Sequence, residues 1–157
     1  MTGFDYKLAV AYANRCFVGK GHRRRTGIPQ GETQMSENAR IVRDFIAAWS
    51  RLDAAELASF FSADGVYHNM PARPVAGQAA VQAFIAGFIK DWTATEWDIV
   101  NIVETGDLVI AERLDRTLVG DRPVDLPCCG VFEMSDGKIK VWRDYFDLST
   151  YTRALGA

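Results

Sequence analysis

The chain is poor in cysteine, histidine and proline, with three, two and five in 157 residues. Each scarcity removes a class of function. Cys16, Cys128 and Cys129 are odd in number and two are adjacent, so no disulfide framework is suggested. That usage fits a reducing cytoplasm, with Cys128 and Cys129 as small core residues. Neither His22 nor His68 pairs with a cysteine or carboxylate at metal-ligand spacing, so no metal site is expected. No glycine-rich phosphate loop of the form that dinucleotide or nucleotide folds require is present. Ser62, Ser135 and Ser149 lack the surroundings of a nucleophile elbow. No apolar run reaches the length of a membrane span. The net charge of -2 gives no global attraction to nucleic acid or an anionic membrane.

What is present is the composition of a globular domain, 48% hydrophobic and 24% charged. Residues 1–34 show weak periodicity, with a short apolar run at Leu8–Ala13 and a basic cluster at His22–Arg25. They are expected to form an extension of uncertain order outside the folded domain, which spans 35–157. From Met35 the pattern sharpens. Ile41, Val42, Phe45, Ile46, Trp49 and Leu52 fall on one helical face. Asp53 has the character of an N-cap, and Glu56 completes a capping-box pattern before a second helix carrying Leu57, Phe60 and Phe61. A short strand follows, Gly65–Asn69, ended by Met70-Pro71. Val81, Phe84, Ile85, Phe88 and Ile89 mark a third helix. Four strands then run in a row, roughly 96–104, 108–118, 124–134 and 138–147. The Asp136-Gly137 pair is a hairpin signal that makes the last two antiparallel. A short helix is expected over 148–155. Helices first and a strand meander after them predict an α+β fold, with the sheet curled around the helices to leave a conical pocket.

Strand alternation then singles out a few polar residues. Asp144 shares a face with Trp142 and Phe146, where a carboxylate loses hydration and needs a partner or a proton. Arg113 and Asp115, two apart, share a face of another strand with Val109, Ala111 and Thr117. A bland reading makes Arg113 and Asp115 a structural ion pair at a sheet edge or a dimer contact. With Asp144 added, two carboxyls flank one guanidinium, an arrangement that splits their pKa values into an acid and a base. Tyr67 and Asn69 share a face of the short strand and could each hold a water. Read alone, the pair is better explained as a capped, half-buried strand end than as a water site.

The motifs Tyr67-x-Asn69-Met70-Pro71, Glu112-Arg113-x-Asp115 and Trp142-Arg143-Asp144-Tyr145-Phe146-Asp147 together resemble the limonene-1,2-epoxide hydrolases. These belong to a wider group with nuclear transport factor 2 (NTF2), ketosteroid isomerases and SnoaL-type polyketide cyclases. The resemblance covers about residues 37–150. It implies the cone-shaped NTF2-like fold, with three N-terminal helices packed in a strongly curved, mixed but mainly antiparallel sheet. It also implies a cofactor-independent epoxide hydrolase acting on a hydrophobic, terpene-like or cyclic epoxide. Asp144 would take a proton from a water held by Tyr67 and Asn69, Asp115 would protonate the departing oxygen, and Arg113 would bridge the two. The product is a vicinal diol, formed in one step.

Trp49, Leu52, Met70, Leu114, Cys128 and Phe146 are expected to bind substrate, with Trp92 and Val131 as further wall candidates. The expected partners are a small hydrophobic epoxide and water. A homodimer is expected too, because Leu108, Ile110 and Leu114 on the outer sheet face would otherwise meet water. Two other readings use the same cone. An isomerase or cyclase would recast Tyr67, Asp115 and Asp144 as an oxyanion site and a base, though Arg113 favours an ionised neighbour. A non-catalytic binding module would hold an apolar ligand without opening it.

Overall fold

The computed structural model describes residues 36–156. The proposed extension over residues 1–34 lies outside them. The first helix, α1, spans Glu37–Ala48; Ser36 caps it by accepting from the Ala39 amide. Val42, Phe45 and Ile46 bury its apolar face, and a 3-10 turn over Trp49–Arg51 extends it. Leu52 reverses the chain in the left-handed region, at φ 52°. Asp53 then caps α2 (Ala54–Ser59) by accepting from the amides of Ala55 and Glu56. Glu56 does not reach back to close a capping box. Its carboxylate is taken by the Arg51 guanidinium instead.

Strand β1 covers Phe61–Asn69 and β2 Val75–Ala76, followed by α3 at Gln78–Ile89. The sheet continues as β3 (Trp92–Thr105), β4 (Leu108–Val119), β5 (Arg122–Ser135) and β6 (Lys138–Phe146). A last helix, α4, spans Leu148–Ala154 and is capped by Asp147. Phe61, expected in the second helix, opens β1. Its side chain is buried in the core, and a bulge separates Phe61 from Val66. Both residues of the Asp136-Gly137 turn have positive φ, 51° and 70°, as the tight antiparallel hairpin between β5 and β6 requires.

The six strands form one sheet in the order β2-β1-β6-β5-β4-β3. All neighbours are antiparallel except β1 and β6, which run parallel. That parallel pair sets Tyr67 beside Trp142 and Asn69 beside Asp144. The architecture is α+β, of the NTF2-like kind. Helices α1–α3 supply Phe45, Leu57, Val81 and Ile85, and the 3-10 turn supplies Trp49, to a core closed on the other side by Phe132, Ile139 and Trp142. Among the described residues no helix is long and apolar enough to cross a membrane.

Candidate active site

Three buried charged residues meet inside this sheet. Arg113, Asp115 and Asp144 are 1%, 5% and 4% exposed, so their charges must satisfy one another. Period-two alternation on β4 turns Arg113 and Asp115 inward, and on β6 it turns Asp144 inward with Trp142. Arg113 donates from Nε to Asp115 Oδ1 at 3.0 Å and from Nη2 to Asp115 Oδ2 at 2.9 Å. The same Nη2 lies 3.0 Å from both carboxylate oxygens of Asp144. One guanidinium thus holds two carboxyl groups from strands separated by β5.

The packing around the guanidinium is equally specific. Trp97, the cross-strand neighbour of Asp115, places its ring 4.7 Å from Arg113 Cζ, a cation–π contact, and Trp142 lies at 5.8 Å. Space for the guanidinium comes from Gly130, which sits beside Asp144 on β6 and Ala111 on β4. A Cβ at Gly130 would overlap Arg113 Nη1 and lie 2.8 Å from Phe132 Cε2. The sequence reading missed Gly130. Its signal is a glycine inside a strand, which often marks close approach by another group.

The electrostatics favour one shared proton. With both carboxyls ionised the set would carry a net negative charge in a dry site. Burial pushes Asp144 up to about 6; Arg113 opposes that rise and the Asp115 charge reinforces it. Burial would lower the Arg113 pKa, but Asp144 and Asp115 outweigh it, so the guanidinium stays charged. Burial, then the Asp144 charge, raises Tyr67 well above the usual phenol value, so its hydroxyl keeps its proton. Burial also raises Cys128, with Asp115 and Asp144 adding to the effect, so it stays a thiol.

Tyr67, Asn69, Asp115 and Asp144 all line one narrow cavity. Tyr67 stacks on Trp142 at 4.2 Å and 5°, which fixes the ring direction. Asn69 is buried, and its Oδ1 has no hydrogen-bond partner among the described residues. An orphaned acceptor beside a carboxylate suits a group with two hydrogens to give, such as water. One water can donate to Asp144 and to Asn69 Oδ1 while accepting from a phenol.

The remaining wall differs in part from expectation. Cys128, Phe146 and Trp92 line the cavity, together with Phe88, Trp97, Thr117, Val124, Leu126 and Tyr151. Trp49 does not; it stacks behind Trp97 at 4.2 Å as core. Leu52 packs at the edge of the core, and Met70 lies past the end of β1. Leu114 and Val131 lie one residue out of phase with the inward positions of β4 and β5, so they face outward. Asp115, Cys128 and Asp144 each bring a possible metal-ligating atom within 4.8 Å of the others. The cation between the carboxylates is Arg113, however, and a divalent ion would lie against that guanidinium.

Comparison with known proteins decides the family. Residues 36–156 match the model of the limonene-1,2-epoxide hydrolase catalytic domain. The chain belongs to the limonene-1,2-epoxide hydrolase family. Within that family it is 30% identical to the epoxide hydrolase EphG of Mycobacterium tuberculosis over 114 residues, 73% of this chain and 76% of that protein. A solved structure of an M. tuberculosis LEH-like epoxide hydrolase, also 30% identical, superposes with a TM-score of 0.66 and covers 76% of this chain and 89% of that one. A putative SnoaL-like polyketide cyclase from Shewanella putrefaciens CN-32, 15% identical, has a TM-score of 0.70 over 78% of this chain and 98% of its own. That last likeness is one of fold. The family reading rests on the first three.

Proposed function

We propose that this limonene-1,2-epoxide hydrolase family member adds water to a hydrophobic, terpene-like or cyclic epoxide in one acid–base step, giving a vicinal diol. The observation that supports it best is one guanidinium hydrogen-bonded to two buried carboxyls, with Asn69 registered beside only one of them. That asymmetry separates the roles. Asp144 adjoins Asn69 and shares the cavity with Tyr67, so it is the base that removes a proton from the held water. Asp115 lies across the guanidinium and delivers the other proton to the epoxide oxygen as the ring opens. Arg113 touches both carboxyls, so either can carry the resting proton; the reactive arrangement has it on Asp115. Water is a poor nucleophile and an alkoxide a poor leaving group. Deprotonating one and protonating the other together avoids both ions, and each such step contributes roughly 10²–10⁴-fold. The apolar wall from Phe88, Trp92, Leu126 and Phe146 suits a hydrocarbon skeleton.

A single turnover in ¹⁸O-labelled water tests the chemistry, preceded by a panel of terpene, cycloalkene and styrene-type epoxides. Label is expected in the first diol formed. An unlabelled first diol would mean that a carboxylate attacked the ring and that the one-step reading is wrong. We also propose a homodimer through the outer sheet face, where Val103 is 60% exposed opposite the half-buried Ile110. Light scattering on the purified protein reads its mass directly.

A further inference from the structure

The cavity has a second polar set, and its hydrogen bonds leave it unsaturated in a particular way. Thr95 Oγ1 donates to the Arg116 carbonyl at 2.9 Å and accepts from Trp97 Nε1 at 2.9 Å. It also lies 2.8 Å from Thr117 Oγ1. A hydroxyl has one hydrogen, and that of Thr95 is committed to Arg116. Thr117 must therefore be the donor in the pair. Its oxygen then keeps two lone pairs and no hydrogen for anything else. Thr117 is 7% exposed and lines the cavity on the same face of β4 as Arg113 and Asp115.

A complementary group lines the same cavity. Tyr151, on α4, accepts from Trp92 Nε1 at 3.2 Å, and its own hydrogen has no acceptor among the described residues. Tyr151 packs against the cluster of Val124, Leu126 and Cys128, and Val124 is the cross-strand neighbour of Thr117. Besides the carboxyl set, the cavity wall thus offers an oxygen that can only accept and a phenol free to donate. A purely hydrocarbon substrate would desolvate both without return, at a cost paid on every binding event. A ligand hydroxyl satisfies both, since it donates once and accepts as well.

We propose that the natural epoxide carries a hydroxyl group, or a similar donor, on the part of its skeleton remote from the oxirane, and that Thr117 receives its hydrogen. The proposal rests on the hydrolase reading and narrows its substrate class. The spacing follows from the strand. Thr117 is two residues beyond Asp115, so the hydroxyl lies about 7 Å from the epoxide oxygen that Asp115 protonates. Thr117 and Tyr151 then select among epoxides, and the Asp-Arg-Asp set opens whichever one is seated.

The test is a matched pair of cyclic epoxides on one skeleton, one with a hydroxyl about 7 Å from the oxirane oxygen, the other with a methyl there. The quantity read is the ratio of their kcat/KM values. The native protein is expected to favour the hydroxylated member roughly tenfold. Thr117→Val should collapse the ratio toward one, and Thr117→Ser, which keeps the hydroxyl, should preserve it. Tyr151→Phe should lower the ratio without reversing it. Calorimetric binding of the two hydrolysis products reads the same subsite without chemistry, with the triol expected to bind tighter than the methylated diol. A native ratio near one, or a ratio retained in Thr117→Val, overturns the proposal while hydrolysis of both epoxides leaves the reaction itself standing. If neither epoxide is opened and neither product binds, both readings fall.

Discussion

Gly130→Ala is the sharpest test of how the site is held together, because it adds one methyl group and touches neither carboxyl. The new Cβ would overlap Arg113 Nη1 and press on Phe132 Cε2 at 2.8 Å, where ordinary contact begins near 3.4 Å. Phe132 is fully buried and stacks on Trp142 at 5.5 Å, so it cannot retreat cheaply. The guanidinium must move, by about 1 Å. Its bonds to Asp115 and Asp144, now 2.9–3.0 Å, would stretch toward the limit of hydrogen bonding. Each charge-assisted bond weakened in a dry site costs about 1.5–3 kcal/mol, and overpacking adds about 1–3 kcal/mol. The expected result is at least about 3 kcal/mol of lost stability in urea. A misplacement of about 1 Å at the reacting groups also lowers kcat about a hundredfold. Gly87→Ala is the control: it lies in α3 with nothing within 4 Å of its added Cβ, and should be neutral or slightly stabilising. Diol formation and a urea titration on both variants suffice. If Gly130→Ala matches the native protein in rate and stability, the guanidinium does not depend on the space that glycine leaves.

Three further outcomes are expected. Asp144→Asn should lower kcat for diol formation by at least about 10³-fold, because the base is gone; circular dichroism should show the fold intact, and near-native turnover would remove Asp144 from the mechanism. Arg113→Lys should lose about 2–4 kcal/mol in a thermal or urea melt and most activity, since an ammonium cannot hold two carboxyls in a planar fork; a fully active lysine variant would reduce Arg113 to a point charge. In a pH series, kcat/KM should fall with unit slope as pH rises through about 6, because the one proton the carboxyl pair shares is the proton delivered to the epoxide, and burial sets its loss at that value. Stability runs in the same direction. A folded pKa raised from 3.8 to about 6 means the Asp144 contribution is fully present below about pH 4 and is lost as pH rises through 6, by about 3 kcal/mol. A flat rate profile between pH 5 and 7 would contradict both.

Sequence and structure agree best where a single local rule decides the outcome. Alternation along β4 and β6 is enough to put Arg113, Asp115 and Asp144 on inward faces, and the Asp136-Gly137 turn fixes how β5 and β6 pair. Local rules fail where a partner distant in sequence intervenes. Glu56 has the right spacing for a capping box, yet Arg51 captures its carboxylate. Phe61 follows a helical pattern, but the core recruits it as the first residue of a strand. The wall is hardest to read, because it depends on which strands lie side by side. Trp49 looks like a pocket aromatic until Trp97 covers it. Leu114 is the instructive case. It sits between Arg113 and Asp115, so the same alternation that turns them inward turns it out, while Thr117 inherits the inward position.

The parallel pairing of β1 with β6 has a kinetic corollary. Asn69 and Asp144 are neighbours in space but stand at opposite ends of the sheet-forming sequence, with β2, β3, β4 and β5 lying between them. A ribosome must release the whole of that stretch before the two can touch. Partial chains would therefore have hairpins but no competence to hold the reactive water. Refolding should likewise show secondary structure returning well before activity, since closing the longest loop is the last and slowest contact to be made.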